Sequence, residues 1–149
     1  MDKVSIIVRT CGRPEVLRGA LESIRKQTYP DVETVVIEDG LEISRQMICT
    51  EYSDLQLRYI STGKRVGRAK AGNLGMKVAQ GKYLNFLDDD DVLYPEHIEI
   101  LLQTLQSAEE KAVYSVAEEA AAIYRKRKRT FYDVRKKVRF REPFNRMYL

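Results

Sequence analysis

Four consecutive aspartates, Asp88, Asp89, Asp90 and Asp91, end the apolar run Tyr83 to Leu87, and no other group in the chain is so plainly placed to do chemistry. Adjacent carboxylates repel one another, a cost relieved when a cation or hydrogen-bond donors share the charge. A divalent metal is the simplest remedy. Magnesium and manganese favour oxygen ligands and commonly take one or two carboxylates plus substrate phosphates, which suits an acidic turn at a strand end. One aspartate, Asp90 or Asp91, can alternatively cap the following helix, but capping uses one carboxylate and not four.

Three further polar clusters also follow apolar runs. Thr10 to Arg13 comes after Val4–Val8, Glu38-Asp39 after Val32–Ile37, and Lys64 to Arg68 after Leu57–Ile60. Gly63 to Gly75 joins flexible backbone to Lys64, Arg65, Arg68 and Lys70, a combination suited to a diphosphate, yet it lacks both the Gly-Lys-Ser/Thr phosphate loop and the dinucleotide glycine spacing. Each cluster also has a plain reading. Thr10 and Arg13 can cap and solvate a helix, Glu38-Asp39-Gly40 can be a turn, and the basic segment can be a helix start with exposed cations.

The elements that carry these clusters alternate. Val4 to Val8 has little polar alternation, as expected of a strand covered on both faces. Pro14 suits a first helical turn, and Leu17, Ala20, Leu21 and Ile24 fall at helical spacing. Val32–Ile37, Leu57–Ile60 and Tyr83–Leu87 repeat the buried-strand signature; Ile43, Met47 and Ile48 suggest a weaker helix, and another runs from the glycine-rich stretch to about Ala79. After Pro95, the spacing of Ile98, Leu101, Leu102 and Leu105 predicts a helix, and Ala112–Val116 a fifth strand. This rhythm predicts an α/β fold: an open, three-layer α/β/α arrangement with a mostly parallel sheet and helices on both faces. Ligands in such sheets bind beyond the carboxyl ends of the strands, so all four polar clusters converge on one edge.

Composition narrows the classes. With 149 residues and 44% apolar content the chain fits one globular domain. No run approaches the roughly 18 apolar residues of a membrane span, and the first apolar run is too short for a secretory signal, so a cytoplasmic protein is expected. Cys11, Cys49 and the single His97 fit no soft-metal site, leaving a hard, oxygen-bound ion. The net charge of +4 is uneven: residues 1–124 hold fifteen Lys/Arg against twenty Asp/Glu, and residues 125–149 eleven against two. We read residues 1–117 as the α/β domain and 118–149 as a basic hairpin or partly ordered segment. That segment is either solvated surface or a contact for a partner or an anionic membrane surface, the latter making the protein peripheral to the membrane. Tyr124, Phe131 and Tyr132 offer stacking surfaces amid the cations, but an acidic body with clustered aspartates argues against nucleic acid.

Together these residues resemble the family 2 glycosyltransferases, inverting enzymes of the GT-A fold. The resemblance spans roughly residues 3–117 and rests on Val4-Ser5-Ile6-Ile7-Val8-Arg9-Thr10 with Arg13-Pro14, on Glu38-Asp39-Gly40, on Gly67 to Gly75, and on Gly81 to Asp91. It implies a nucleotide-diphosphate sugar as donor, a UDP-sugar by the family's habit, with Mn2+ or Mg2+ as cofactor. By that likeness Thr10 and Asp39 contact the nucleobase, Arg68 lies near the diphosphate, Asp88 near the ribose, and Asp90 is the metal ligand. The candidate donor-binding residues are then Thr10, Arg13, Glu38, Asp39, Lys64, Arg68, Asn73, Asp88 and Asp89.

The chain departs from the family after Ala117. Members place the acceptor site and the catalytic base in a later half, and here Glu118, Glu119, Asp133 and Glu142 stand in no context resembling the base motif. No base is assigned, the acceptor is unknown, and Glu142 to Leu149 reads as the lead-in to a missing half, which suggests a chain cut short. A non-catalytic nucleotide-sugar-binding module or scaffold is the alternative reading. An unfinished sheet edge or apolar face would favour a homodimer.

Overall fold

A computed structural model describes residues 1–109, 111–115, 117–125 and 128–139. The chain divides into two compact units, Met1–Glu99 and Ile100–Leu149.

The first unit is built on four strands, β1 (Val4–Thr10), β2 (Val32–Glu38), β3 (Leu57–Ser61) and β4 (Tyr83–Asp88), all parallel and in the order β3-β2-β1-β4. Helices α1 (Pro14–Arg25), α2 (Arg45–Glu51) and α3 (Arg68–Val78) connect them. The two central strands carry the core: Ile6, Ile7, Val8, Val35, Val36 and Ile37 are all 0% exposed. Both faces of these strands are therefore covered, which is why their sequences show no polar alternation.

Right-handed crossovers explain how. The chain steps from β1 to β2 to β3 in one direction, then returns past β1 to β4, so α3 lies on the face opposite α1 and α2. On its face, α3 contributes Ala71, Leu74 and Val78 to a cluster with Ile7, Val35 and Ile37. The approach is close: a methyl group added at Gly75 would lie 2.5 Å from Ile7 Cγ2. The α1 face buries Leu17, Ala20, Leu21 and Ile24, and α1 is tied to α2 by two Arg18–Glu51 hydrogen bonds of 2.7 and 2.8 Å. The return to β4 also creates a switch point between β1 and β4, where neighbouring connections leave in opposite directions and open a crevice.

Helix α4 (His97–Gln106) matches the spacing after Pro95. The expected fifth strand does not form: residues 112–115 have no regular structure and Val116 lies outside the described residues. In its place β5 (Ala117–Arg125) pairs antiparallel with β6 (Lys128–Arg139) within the second unit. The short apolar run Ala112–Val116 has no periodicity of its own, and such runs do not distinguish a strand from an extended connection. The side chains of Tyr124, Phe131 and Tyr132, and all of Glu142 to Leu149, lie outside the described residues.

Candidate donor and metal site

The carboxyl ends of β1 and β4 bring the acidic run to the switch point. Arg9 stands opposite Asp88 in the β1–β4 register, and Thr10 opposite Glu38 in the β1–β2 register. Just past β4 a tight turn closes, with the Asp91 N–H donating to the Asp88 carbonyl at 3.1 Å. This turn separates the four aspartates by role. Asp89 points inward, 1% exposed, whereas the side chains of Asp88 and Asp90 are 45% and 56% exposed. Carboxylate oxygens of Asp88, Asp90 and Asp91 all lie within 4.8 Å of one another. An all-oxygen donor set of this kind suits Mg2+ or Mn2+. Helix α4 begins only at His97, so neither Asp90 nor Asp91 caps it.

Asp89 is the anchor. Its Oδ2 accepts from the Thr10 hydroxyl at 2.7 Å and from Arg13 Nε at 3.2 Å, and Arg13 Nη2 bonds its other oxygen. A buried carboxylate needs such partners to remain charged. Arg13 sits at the N-cap of α1 without a side-chain capping bond and reaches across to Asp89 and, at 3.5 Å, to Asp90. Burial opposes the guanidinium's charge, but attraction and hydrogen bonding to Asp89, then Asp90, outweigh it and raise its pKa above the ordinary value.

The loop after β2 is fixed by two carboxylates. Glu38 is 0% exposed and accepts from Gly12 N at 3.1 Å, Ser44 N at 2.9 Å, the Ser44 hydroxyl at 3.1 Å and the Tyr59 phenol. Burial, then the bond to Glu38, pushes the Tyr59 phenol well above its usual pKa. Asp39 accepts from Val66 N at 2.6 Å and Gly67 N at 3.0 Å, tying the β3–α3 loop to the end of β2. Gly67, at φ 94° and ψ 154°, takes a conformation that side chains disfavour, and it turns the chain into α3.

The structure thus gathers Thr10, Arg13, Asp88, Asp89 and Asp90 into one cluster, with Glu38 and Asp39 beside it. Lys64 and Arg68 are exposed on the loop that Asp39 holds and at the start of α3. Asn73 is exposed further along α3 and, among the described residues, is not hydrogen-bonded to the cluster. The polar side-chain atoms of Glu38, Asp89 and Thr10 (3% exposed) are buried and hydrogen-bonded within the protein, where they brace the loops around the cluster. Residues not expected at the site are Ser44, Tyr59 and Arg9. Arg9 left a signal, a cation inside an otherwise apolar strand. Ser44 and Tyr59 left none, since only the fold brings them to Glu38.

The sequence matches the Glycosyl transferase family 2 profile over residues 5–148. The chain belongs to this family. Glycosyltransferase GlyG of Streptococcus pneumoniae is 30% identical over 114 residues, a stretch covering 75% of this chain and 38% of GlyG. S. aureus TarS 1-349 in complex with UDP-GlcNAc superposes with a TM-score of 0.65 at 27% identity, covering 70% of this chain and 31% of that one. The mannosyltransferase PcManGT from Pyrobaculum calidifontis, in complex with GDP-Man and Mn2+, gives 0.62 at 23% identity, covering 70% and 32%, a likeness of fold. These structural neighbours are GT-A transferases, and the parallel sheet with its flanking helices is the α/β fold they share. The chain spans less than half the length of these family relatives. Among the described residues no helix is long and apolar enough to cross a membrane.

Proposed function

We propose that this chain is the nucleotide-sugar-binding portion of an inverting glycosyltransferase that takes a UDP-sugar with Mn2+ or Mg2+. The observation that carries the proposal is the fan of Asp88, Asp90 and Asp91 at the switch point, braced from behind by Asp89, Thr10 and Arg13. Asp90, whose side chain is 56% exposed against 45% for Asp88, is the metal ligand, with Asp88 and Asp91 beside it. The metal would offset charge building on the diphosphate as it leaves. Asp39 serves the nucleobase side. Lys64, Arg68 and the positive end of α3 serve the diphosphate, the helix N-terminus favouring negative charge.

In the transfer an acceptor hydroxyl attacks the anomeric carbon from the side opposite the leaving nucleoside diphosphate, inverting that centre. The cluster described here supplies donor binding for that step. The choice of a uridine nucleotide is supported by TarS, solved in complex with UDP-GlcNAc and UDP.

Calorimetric titration of UDP and UDP-GlcNAc, with and without Mn2+, tests the proposal. Binding is expected with metal and should weaken by about two orders of magnitude in Asp90→Asn, the scale of losing a metal contact to the diphosphate. An absence of heat under both conditions would sink it, as would Asp90→Asn binding UDP as tightly as the parent.

A further inference from the structure

Arg9 is a cation set in the central strand of a buried sheet, between Val8 at 0% and Thr10 at 3% exposed. Its side chain shares a sheet face with its register partner Asp88 and, two residues earlier, with Phe86, since strand side chains alternate. The guanidinium carbon lies 5.9 Å from the centre of the Phe86 ring. Helix α3 passes over the stem at Gly72, where an added methyl group would sit 3.5 Å from Arg9 Cδ. Packed in this way, the side chain is 23% exposed. It bonds Asp88 Oδ1 through Nη2, while its buried Nε has no hydrogen-bond partner among the described residues. Packing, and not a full set of hydrogen bonds, fixes its position.

In the candidate metal set Asp88 therefore faces Arg9, and Asp90 faces Arg13 at 3.5 Å. The two arginines are not equivalent. Arg13 is 50% exposed and bonds chiefly to the buried Asp89, with only a 3.5 Å contact to Asp90. Arg9 is 23% exposed and pairs with Asp88 itself. A bare divalent cation arriving at Asp88 meets a fixed positive charge, whereas a cation arriving with a diphosphate brings compensating negative charge.

We propose that Arg9 is a positioning residue that holds Asp88 against free divalent cations, so that metal enters together with a nucleoside diphosphate and not ahead of it. This inference rests on reading the acidic run as the metal site of a nucleoside-diphosphate complex, and its first test needs no nucleotide. Free Mn2+ is titrated against the full chain and counted by its electron paramagnetic resonance signal. Arg9→Met keeps the stem and removes the charge; it should bind Mn2+ about tenfold more tightly than the parent, equivalent to about 1.4 kcal/mol. Arg9→Gln is a second neutral variant, so that a misfolded Met variant does not end the test, and it should share the gain. Arg9→Lys keeps the charge and should stay within about threefold of the parent. With saturating UDP the gap between parent and neutral variants should shrink, because the diphosphate then balances Arg9. The inference is overturned if the neutral variants, folded by circular dichroism, bind Mn2+ no more tightly than the parent, or if Arg9→Lys gains as much as they do. A parent that binds no UDP with any metal defeats the functional reading alone, and the Mn2+ comparison still decides the role of Arg9.

Discussion

Strand β2 has a buried glutamate near each end, and the two do different work. Glu33, 4% exposed, accepts from the Ser5 hydroxyl at 2.6 Å and from Gln80 N at 2.9 Å, while Gly81 N donates to Ser5 at 2.8 Å. The chain there closes on itself. A methyl group at Gly81 would lie 2.5 Å from Ser5 N and 2.6 Å from Ser5 Oγ. Glu38, at the other end, together with its neighbour Asp39 fastens the bases of loops whose tips stay open: nothing lies within 4 Å of a methyl group built at Gly40, Gly63 or Gly67. Both carboxylates offset a desolvation cost with several hydrogen bonds. One seals an end of the sheet, and the other stiffens the rim of a crevice.

Substitution at each end separates these roles. Glu38→Ala leaves the N–H groups of Gly12 and Ser44 and two hydroxyls without their acceptor, at about 1–3 kcal/mol for each buried group left unsatisfied and not re-solvated. A net loss of about 4 kcal/mol in chemical denaturation is expected, with UDP affinity falling in the fraction that remains folded. Gly81→Ala should cost about 3 kcal/mol, because the methyl group meets backbone that cannot turn aside. The folded fraction should bind UDP as the parent does. Denaturation curves and calorimetry on the same samples check both. The distinction between the two ends fails if Gly81→Ala lowers UDP affinity, or if Glu38→Ala lowers stability alone.

The same contrast shows what could be read from the chain before its fold was known. The strands were legible because β1 and β2 are buried on both faces, which suppresses polar alternation over Val4–Val8 and Val32–Ile37. The edge on which Thr10, Asp39 and Asp88 meet was legible because parallel connectivity alone sends every such turn to the carboxyl ends. The division of labour within the aspartate run was not. Four identical residues give no sign that the turn at Asp88–Asp91 faces Asp89 inward. The burial of Glu38 was not legible either: an acid beside Asp-Gly looks exposed, and its partners Ser44 and Tyr59 reach it from other elements. The strand expected at Ala112–Val116 failed because an apolar run without period or pairing partner specifies little.

Tyr59 offers the mildest perturbation of the rim. Tyr59→Phe removes one of the donors to Glu38 and keeps the ring, so at neutral pH it should cost about 1 kcal/mol. Its pH dependence is more telling. Burial, then the bond to Glu38, raises the folded-state pKa of this phenol above its unfolded value. The neutral form is thus favoured by folding. The resulting stability is fully present below the unfolded phenol pKa of about 10 and is lost as pH rises from there toward the folded value. Tyr52, pushed up to about 12 by burial and then by Glu22, contributes a loss of the same sign between about pH 10 and 12. Denaturation midpoints measured from pH 8 to 11 should therefore fall for the parent above pH 10, and fall less steeply for Tyr59→Phe. Equal slopes would mean that the phenol ionises in the folded state as readily as in water, which a group pressed against a buried carboxylate could not do. Glu38 would then be reachable by solvent, and the rim would be open at its base as well as at its tips.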